Sequence, residues 1–430
     1  MISGVKAGGA LGLVRSHGAF RLLWTARSVS FLGDSLSLVA LMLHVAETTG
    51  QALAVALLLL VGDFAPALLG PLAGAVGDRF EPRRVMVACE LAQAALVAAM
   101  ALWTPALPAL LVLVALRAVA GQVFQPVSRA IVPALVRDRD LEPANAAIGF
   151  GTNAGETLGP LLAALLLPLA GVRGVLLTDA ATFLLSAVLI ARLPRAPREP
   201  APGRGSLLRD TADGLRHIAG APLLRAVGLG YFAIVAFNGI DDVALVFLAT
   251  DTLRGGGSAA GLLLAAVGAG LLAGYALLGR ARRPLPMPPL LVAGFAVSSA
   301  GNLLTGLAWA VAAAFTVQAV RGLGIAAMDV AANTLVQRTV PAAYLSRVFG
   351  TLYGAIGVAA ALAYVGGGLL LDATGPRAAL VVAGAAGLLA TLLTAAALRR
   401  VPPPGDPGDP GDPRDPASPG DLAGPGPPPS

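Results

Sequence analysis

The ionisable side chains that interrupt the long apolar runs of this 430-residue sequence include seven carboxylates and three arginines. These ten are Asp34, Asp63, Glu156, Asp179, Asp241, Asp242, Asp329, Arg27, Arg117 and Arg321. Apolar surroundings favour the protonated form of a carboxyl group, whereas a neighbouring arginine favours its ionised form. A movement that changes either surrounding can therefore load or release a proton. On this reasoning Asp34 and Glu156 are candidate proton carriers, and Asp241 is a third candidate.

The elements that carry these side chains are predicted to be membrane-spanning helices. The chain is 56% hydrophobic and only 13% charged, with a mean hydropathy of +0.78, whereas a soluble domain has about a quarter of charged residues. Its apolar runs reach about 20 residues, enough for a helix to cross roughly 30 Å of hydrocarbon. Twelve spans are predicted, at 20–46, 51–76, 84–104, 107–131, 142–169, 173–193, 222–250, 258–280, 286–307, 309–335, 345–371 and 376–398.

The cost of burying charge in lipid predicts that the ten groups face one another or a wet cavity. Each costs on the order of 3 kcal/mol at the centre of a lipid-exposed helix, roughly 30 kcal/mol for all ten. Helical spacing puts Arg27, Ser30, Asp34, Ser37 and His44 on one face of the first span. Counting inward from the loops puts the following near mid-bilayer: Asp34, Asp63, Arg117, Glu156, Asp241 and Arg321. The sequence thus predicts a central polar site in which Arg27, Arg117 and Arg321 are the charge partners.

Arginine distribution predicts the orientation of the chain. With the amino terminus in the cytoplasm, three of the 30 Lys and Arg residues face outward, three lie within the membrane and 24 are cytoplasmic, as the positive-inside rule requires. Both termini are then cytoplasmic in a multi-pass protein of the plasma or inner membrane. The predicted organisation is an amino-terminal segment 1–19, a six-helix half 20–193, a cytoplasmic central loop 194–221, a second half 222–398 and a disordered Pro/Gly/Asp-rich tail 399–430.

The two halves resemble an internal repeat. Arg117 and Arg321 are 204 positions apart, and the same offset relates Asp34 to Asn238. Two parallel six-helix halves favour alternating access to a site at their interface.

A dense group of charges, GAVGDRFEPRRV at 74–85, separates the second and third spans. A topogenic signal needs only arginine, so Asp78 and Glu81 require another explanation. The alternative is that the whole segment is an ordinary positive-inside loop.

This segment resembles the signature between the second and third helices of the major facilitator superfamily. The matching residues are Gly74, Asp78, Arg79, Arg83 and Arg84. LRAVAG around Arg117 is similar to the helix 4 pattern of the family, and GETLGP, with Gly155, Gly159 and Pro160, is similar to the helix 5 pattern of its antiporters. FRLLWTARSVSFLGDSLSLVAL resembles the exporter branch that includes macrolide and enterobactin exporters. The resemblance covers residues 20–400.

The resemblance implies an all-α membrane protein of twelve helices in two pseudo-symmetric bundles. It implies that Asp78 faces the amino end of a second-half helix at a cytoplasmic gate, and that the nearby arginines hold carboxylates or lipid phosphates. The implied function is export of an amphiphilic small molecule, such as a drug, antibiotic or siderophore-like product. Transport would proceed by proton antiport in a monomer, with the substrate, protons and the lipid bilayer as partners.

Other functional classes remain as alternatives. The glycine-rich stretch of the eighth span lacks the Walker spacing, so ATP is not expected to drive transport. No metal, cofactor or catalytic motif is found, so neither an enzyme nor a metal centre is predicted. The arginines lie in membrane loops, which argues against nucleic acid as a partner. An uncoupled facilitator of the same fold stays open, as does a membrane enzyme or sensor, and Arg117 could be a purely structural pin between helices.

Overall fold

The computed structural model describes residues 9–103, 105–195, 207–281 and 285–401. The helices of this part are α1 (Ala10–Ser16), α2 (Gly18–Thr49), α3 (Ala52–Leu59), α4 (Gly70–Arg79), α5 (Pro82–Trp103), α6 (Leu107–Ala130), α7 (Val132–Leu135), α8 (Leu141–Ala191), α9 (Leu207–Gly220), α10 (Pro222–Asn238), α11 (Asp241–Phe247), α12 (Gly256–Leu278), α13 (Met287–Gly306), α14 (Val311–Thr339) and α15 (Leu345–Arg399). Lipid offers no partner to backbone groups, which favours helices as spanning elements.

Ten helical stretches in the described ranges are long and apolar enough to cross a membrane. Two of them, α8 and α15, have 51 and 55 residues, about twice the length that one crossing needs. Each turns back at a glycine with left-handed backbone, Gly171 at φ 64° and Gly375 at φ 79°, a conformation that only glycine adopts without strain. Each therefore contributes two spans, and the predicted all-α fold with twelve spans is confirmed.

Two of the spans are interrupted near their middle. The second consists of α3 and α4, joined by a π-helical turn Leu60–Phe64 and a 3₁₀ turn Ala65–Leu69 that contains Pro66. Proline removes one backbone donor and crowds the preceding turn, which explains the break. The seventh span is interrupted at Gly239 and Ile240, between the end of α10 and the start of α11. Asp241 is therefore the first residue of α11.

Most buried apolar side chains pack into clusters within one half or the other. In the first half, Phe20, Leu23, Phe124 and Ile148 join α2, α6 and α8. In the second half, a cluster that includes Leu263 and Leu380 joins α11, α12 and α15. The halves meet closely along α4 and α15 and along α8 and α12. Each half thus has its own packed interior, and a smaller cluster of Ala146, Tyr275, Ala326 and Val330 crosses the interface between the halves, which we call the seam.

The connection 194–221, expected as a loop, contains the helix α9. Gly214 of α9 is buried beside Arg347, and Ile218 packs against an apolar cluster that includes Leu224 and Val348, so one face of α9 lies against the bundle. The Thr211 hydroxyl donates to the Pro71 carbonyl in the first half at 3.5 Å, and the His217 ring stacks on Tyr344 in the second half with centroids 5.1 Å apart. This helix therefore contacts both halves. The predicted disordered tail lies, apart from 399–401, outside the described residues.

Candidate functional site

The polar face of α2 lies against three other helices of the first half. Four of its side chains each contact a different polar group. Arg27 bonds Ser128 and Gln125, Ser30 bonds Glu90, Asp34 pairs with Arg117, and Ser37 bonds Asp179. The predicted polar stripe of the first span thus faces the interior of its own half.

Asp34 and Arg117 form an ion pair between α2 and α6. Arg117 lies ten residues into α6, or about 15 Å along the helix axis, which is half of the hydrocarbon thickness. The side chains of Asp34 and Arg117 remain 31% and 17% exposed. A charge pair at this depth that is not fully enclosed fits a site that a proton or a polar ligand can reach.

The second half contains a corresponding pair, Arg321 with Asp241, between α14 and α11. Arg321 also lies ten residues into its helix, so the two arginines occupy equivalent depths. Asn238, the residue at the repeat offset from Asp34, instead bonds Ser299 and Asn302 at 3.0 Å each. In the second half the carboxylate that pairs with Arg321 is therefore Asp241, about one helical turn after Asn238 and just beyond the break at Gly239.

The pairs differ in burial. Asp241 and Arg321 are 9% and 5% exposed, so this pair is almost enclosed, whereas the Asp34 pair is accessible. Arg27 is 1% exposed and belongs to neither pair: its guanidinium is held by Ser128 and lies 5.5 Å from the Phe31 ring centroid. The expected grouping of Arg27 with the other two arginines at one central site is therefore not what the structure shows.

Glu156, the other candidate proton carrier, is exposed on α8. Ser35 of α2 donates to its backbone carbonyl at 3.2 Å. The side chains of Asp63 and Asp242 lie outside the described part of the chain.

The helix 5 motif brings α8 close to α2 beside Asp34. A Cβ atom built on Gly155 would lie 3.0 Å from the Leu32 nitrogen, and one built on Gly159 would lie 2.3 Å from Ser35. Both glycines therefore permit an approach that larger residues would prevent. Pro160, which follows, is exposed.

Asp78 of the 74–85 segment contacts the amino end of α15. Its two carboxylate oxygens accept the backbone N–H groups of Ser346 and Arg347 at 3.0 and 3.1 Å. These donors have no partner within their own helix, and a negative charge at a helix amino end is favourable. The Nε atom of Arg347 lies 3.1 Å from the same carboxylate. Asp78 therefore joins the two halves at this end.

Gly74 allows this contact. A Cβ atom on Gly74 would lie 2.3 Å from the Ser346 carbonyl oxygen, and one on Gly350 would lie 2.4 Å from the Gly70 carbonyl oxygen. Gly70 and Gly74 of α4 face Gly350 and Gly354 of α15, each pair at the four-residue spacing typical of close helix packing. The backbones of the two halves thus meet here without intervening side chains.

The arginines of the segment have different surroundings. Arg83 and Arg84 lie 3.5 and 2.8 Å from Glu81, and Arg83 donates to the Leu193 carbonyl, just after the end of α8, at 3.1 Å. Arg79 is exposed. Glu81 thus organises its two neighbours, and Arg83 also ties the segment to the carboxyl end of α8.

Further polar contacts join the halves at the same end, on the side of α8 and α14. Arg338 lies 3.2 Å from Asp138 and 3.1 Å from Glu142, and Asn145 donates to Gln337 at 2.6 Å. Together with the Asp78 contact, they close the arginine-rich end of the molecule, by which we mean the end that carries the 74–85 segment and α9.

Asp329 of α14 lies at the centre of a further polar cluster. The sequence places it among the ten intramembrane charges but does not distinguish it as a candidate site. Tyr275 donates to its Oδ2 atom at 3.0 Å, Asn333 donates to its Oδ1 atom at 2.8 Å, and Arg129 of the first half lies 3.9 Å away. Tyr353 in turn donates to Asn333 at 2.9 Å. Helical spacing places Asp329 and Asn333 on one face, but the partners come from three other helices, which no local pattern indicates.

Comparison with known proteins places this architecture among transporters. The model of the Major Facilitator Superfamily matches residues 23–297 and 227–424. The chain is 26% identical over 403 residues to an uncharacterized MFS-type transporter, YfiS, of Bacillus subtilis, covering 89% of this chain and 94% of that protein. It is 23% identical over 182 residues to macrolide efflux protein A of Streptococcus pyogenes, covering 41% of this chain and 45% of that protein.

Solved structures of the same fold include the human organic anion transporter MFSD10, at a TM-score of 0.74 and 19% identity over 88% of this chain and 99% of that one. A bacterial homologue of the iron transporter ferroportin, in an outward-facing state, matches with a TM-score of 0.75 and 18% identity over 89% of this chain and 100% of that one. At these identities the likeness concerns the fold alone. The matched family model, the twelve spans and the signature segment together show that this chain is a multi-pass membrane transporter of the major facilitator superfamily.

Proposed function

We propose that the protein exports an amphiphilic small molecule from the cytoplasm in exchange for entering protons, by alternating access between its two halves. The observation that carries this proposal is the Asp34–Arg117 pair, a partly exposed carboxylate and guanidinium near the middle of the membrane. Such a carboxylate can hold a proton when its arginine is withdrawn and release it when the pair forms again.

The conformation of the described residues supports the direction of proton flow. If the arginine-rich end is cytoplasmic, as the positive-inside rule requires, then the cytoplasmic gate is closed here. Asp34 is still 31% exposed when this end is closed, and in our proposal protons reach it from the opposite side. In this scheme Glu156 is a second carboxylate that protons can reach, and Asp241, which is almost enclosed, is the third candidate.

The exporter direction is supported by the likeness to macrolide efflux protein A, although that likeness covers less than half of either protein. We place the protein in the plasma or inner cell membrane as a monomer with both termini in the cytoplasm. Proton antiport and the amphiphilic substrate remain part of the proposal.

A test compares drug retention in cells that express the protein with and without a protonophore. Proton antiport predicts that retention of an exported compound rises to the level of non-expressing cells when the gradient is dissipated at constant ATP. Export that persists without any proton gradient would favour the uncoupled facilitator of the same fold, which moves its substrate only down its own gradient.

A further inference from the structure

A small cavity lies beside Asp329 on the arginine-rich side of the membrane centre. Its volume is about 30 Å³, and its polar and aromatic lining consists of Tyr231, Asp329, Asn333, Phe349 and Tyr353. We call these five residues the Asp329 cage. The cage belongs entirely to the second half, with residues from α10, α14 and α15. A carboxylate among aromatic rings is an arrangement that binds organic cations.

In the closed conformation the cation beside this carboxylate is Arg129, which belongs to the first half. Its NH2 atom is 3.9 Å from Asp329, and its NH1 atom is 3.5 Å from the Asn145 oxygen. Charge-assisted hydrogen bonds are normally about 2.7–2.9 Å long, and the buried Nε atom has no hydrogen-bond partner among the described residues. Arg129 also makes a side-chain hydrogen bond with Tyr353 of the cage, so it contacts the cage through two residues while its distance to Asp329 stays long.

The position of this contact across the seam distinguishes it from the other two charge pairs. Asp34 with Arg117 and Asp241 with Arg321 each lie within one half, so rotation of the halves does not by itself separate them. Withdrawal of Arg117 from Asp34 instead requires a shift of α6 against α2 within the first half. Arg129 and Asp329 lie in different halves, so opening of the arginine-rich end separates them. A mostly buried carboxylate is then left without its cation, which is unfavourable unless another positive charge takes the place of the arginine.

We propose that the Asp329 cage binds the charged group of a monocationic amphiphile when the arginine-rich end is open, with Arg129 occupying the same place when it is closed. This inference rests on the proposed exporter function and names its substrate class. Substrate entering from the arginine-rich side meets an acidic, aromatic site, and closure returns Arg129 to Asp329 and displaces the substrate toward the middle of the membrane.

The probe is tetraphenylphosphonium, a permanent monocation, and its matched control is tetraphenylborate, an anion of nearly the same size and shape. Binding to the purified full-length protein in lipid nanodiscs is measured by equilibrium dialysis. We expect the cation to bind, Asp329→Asn to weaken its binding at least about tenfold, and Arg129→Gln to tighten it about tenfold, because the internal competitor is gone. Asp251→Asn, which removes an exposed carboxylate near the end of the seventh span, serves as the matched control with unchanged binding.

The gain in affinity of Arg129→Gln keeps the test decisive, since misfolding cannot produce it. The inference is overturned if the parental protein does not bind the cation, if it binds the anion equally well, if Asp329→Asn binds like the parent, or if Arg129→Gln binds no more tightly. The protonophore experiment reports separately on the proposed function. Export that depends on the proton gradient, found without cation binding, would contradict only the proposed role of the Asp329 cage. Cation binding, found without dependence of export on the gradient, would contradict only the proposed proton coupling.

Discussion

Asp78 and Arg347 are 269 positions apart in the sequence, yet the Oδ2 atom of Asp78 lies 3.1 Å from both the backbone nitrogen and the Nε atom of Arg347. The N-cap residue of α15, Tyr344, makes no capping hydrogen bond with its own side chain. The capping group of a second-half helix is thus supplied by the first half. Separation of the halves at this end therefore leaves the amino end of α15 without this cap.

We predict that Asp78→Ala shifts the conformational equilibrium toward opening of the arginine-rich end. Loss of a capping carboxylate costs about 1–2 kcal/mol, which changes the ratio of closed to open molecules roughly 5- to 30-fold. Spin labels at Arg139 and Arg280, both exposed and in different halves, introduced into a Cys89→Ser background, report the distance between the halves. Asp213→Ala, which breaks an exposed pair within α9, is the control. An unchanged distance distribution in Asp78→Ala would show that this contact does not hold the gate.

Close backbone packing leads to a second prediction. Gly74→Ala places a methyl group 2.3 Å from a carbonyl oxygen of α15, and backbone cannot move aside as a flexible side chain can. We expect normal expression but loss of most transport, because the arginine-rich end can no longer close. Gly368→Ala in α15, where no atom lies within 4 Å of the added methyl group, should transport normally. Parental activity of Gly74→Ala would contradict the close packing of α4 on α15.

Unequal burial of the two charge pairs predicts unequal losses of stability. Arg321→Gln leaves Asp241 buried without a counter-ion, which lowers the free energy of unfolding by about 3–5 kcal/mol. Arg117→Gln should lower it less, because Asp34 stays partly exposed. Adding Asp241→Asn to Arg321→Gln should recover part of the loss. Thermal unfolding in detergent gives the melting temperatures of the three variants and hence their order of stability. Equal melting temperatures for Arg321→Gln and Arg117→Gln would contradict this assignment of burial.

Arginine counting predicts that both termini are cytoplasmic. A reporter fused after Ser430 that is active only in the cytoplasm should therefore give a signal, and one that needs export should give none. The opposite pair of signals would invert the orientation and with it the direction of proton flow proposed above.

Local sequence patterns predicted the helices well, because hydrophobic length and helix-breaking residues act within a single segment. The twelve predicted spans correspond closely to the helices, and the polar face of α2 follows from the spacing of Arg27, Ser30, Asp34 and Ser37. The glycines at 171 and 375 mark the turns that divide α8 and α15. The helix α9 was missed because a charged segment of 14 residues does not resemble a membrane span, and the central connection was interpreted as a loop.

Contacts across the seam were beyond local patterns. Arg347 and Arg338 look like ordinary basic residues near the ends of spans, and only the assembled bundle places them against Asp78 and Glu142. The repeat offset selected Asn238 as the counterpart of Asp34, but the break at Gly239 moved the paired carboxylate to Asp241. The depth of a charged residue in the membrane could be counted from the nearest loop. Which residue it pairs with depends on the rotation of its helix and on packing between distant segments.

The central claim is that Asp34 couples proton entry to export. Inverted membrane vesicles, with the arginine-rich end outside, are loaded by an imposed pH gradient with a compound that the cells export, and accumulation and downhill exchange are measured separately. Asp34→Asn should abolish accumulation against the substrate gradient and leave exchange intact, because the binding site is preserved and only the titrating group is lost. Glu156→Gln and the double variant show whether the second carboxylate contributes. Gradient-driven accumulation that survives in Asp34→Asn and in the double variant would contradict the claim and assign the proton to another group.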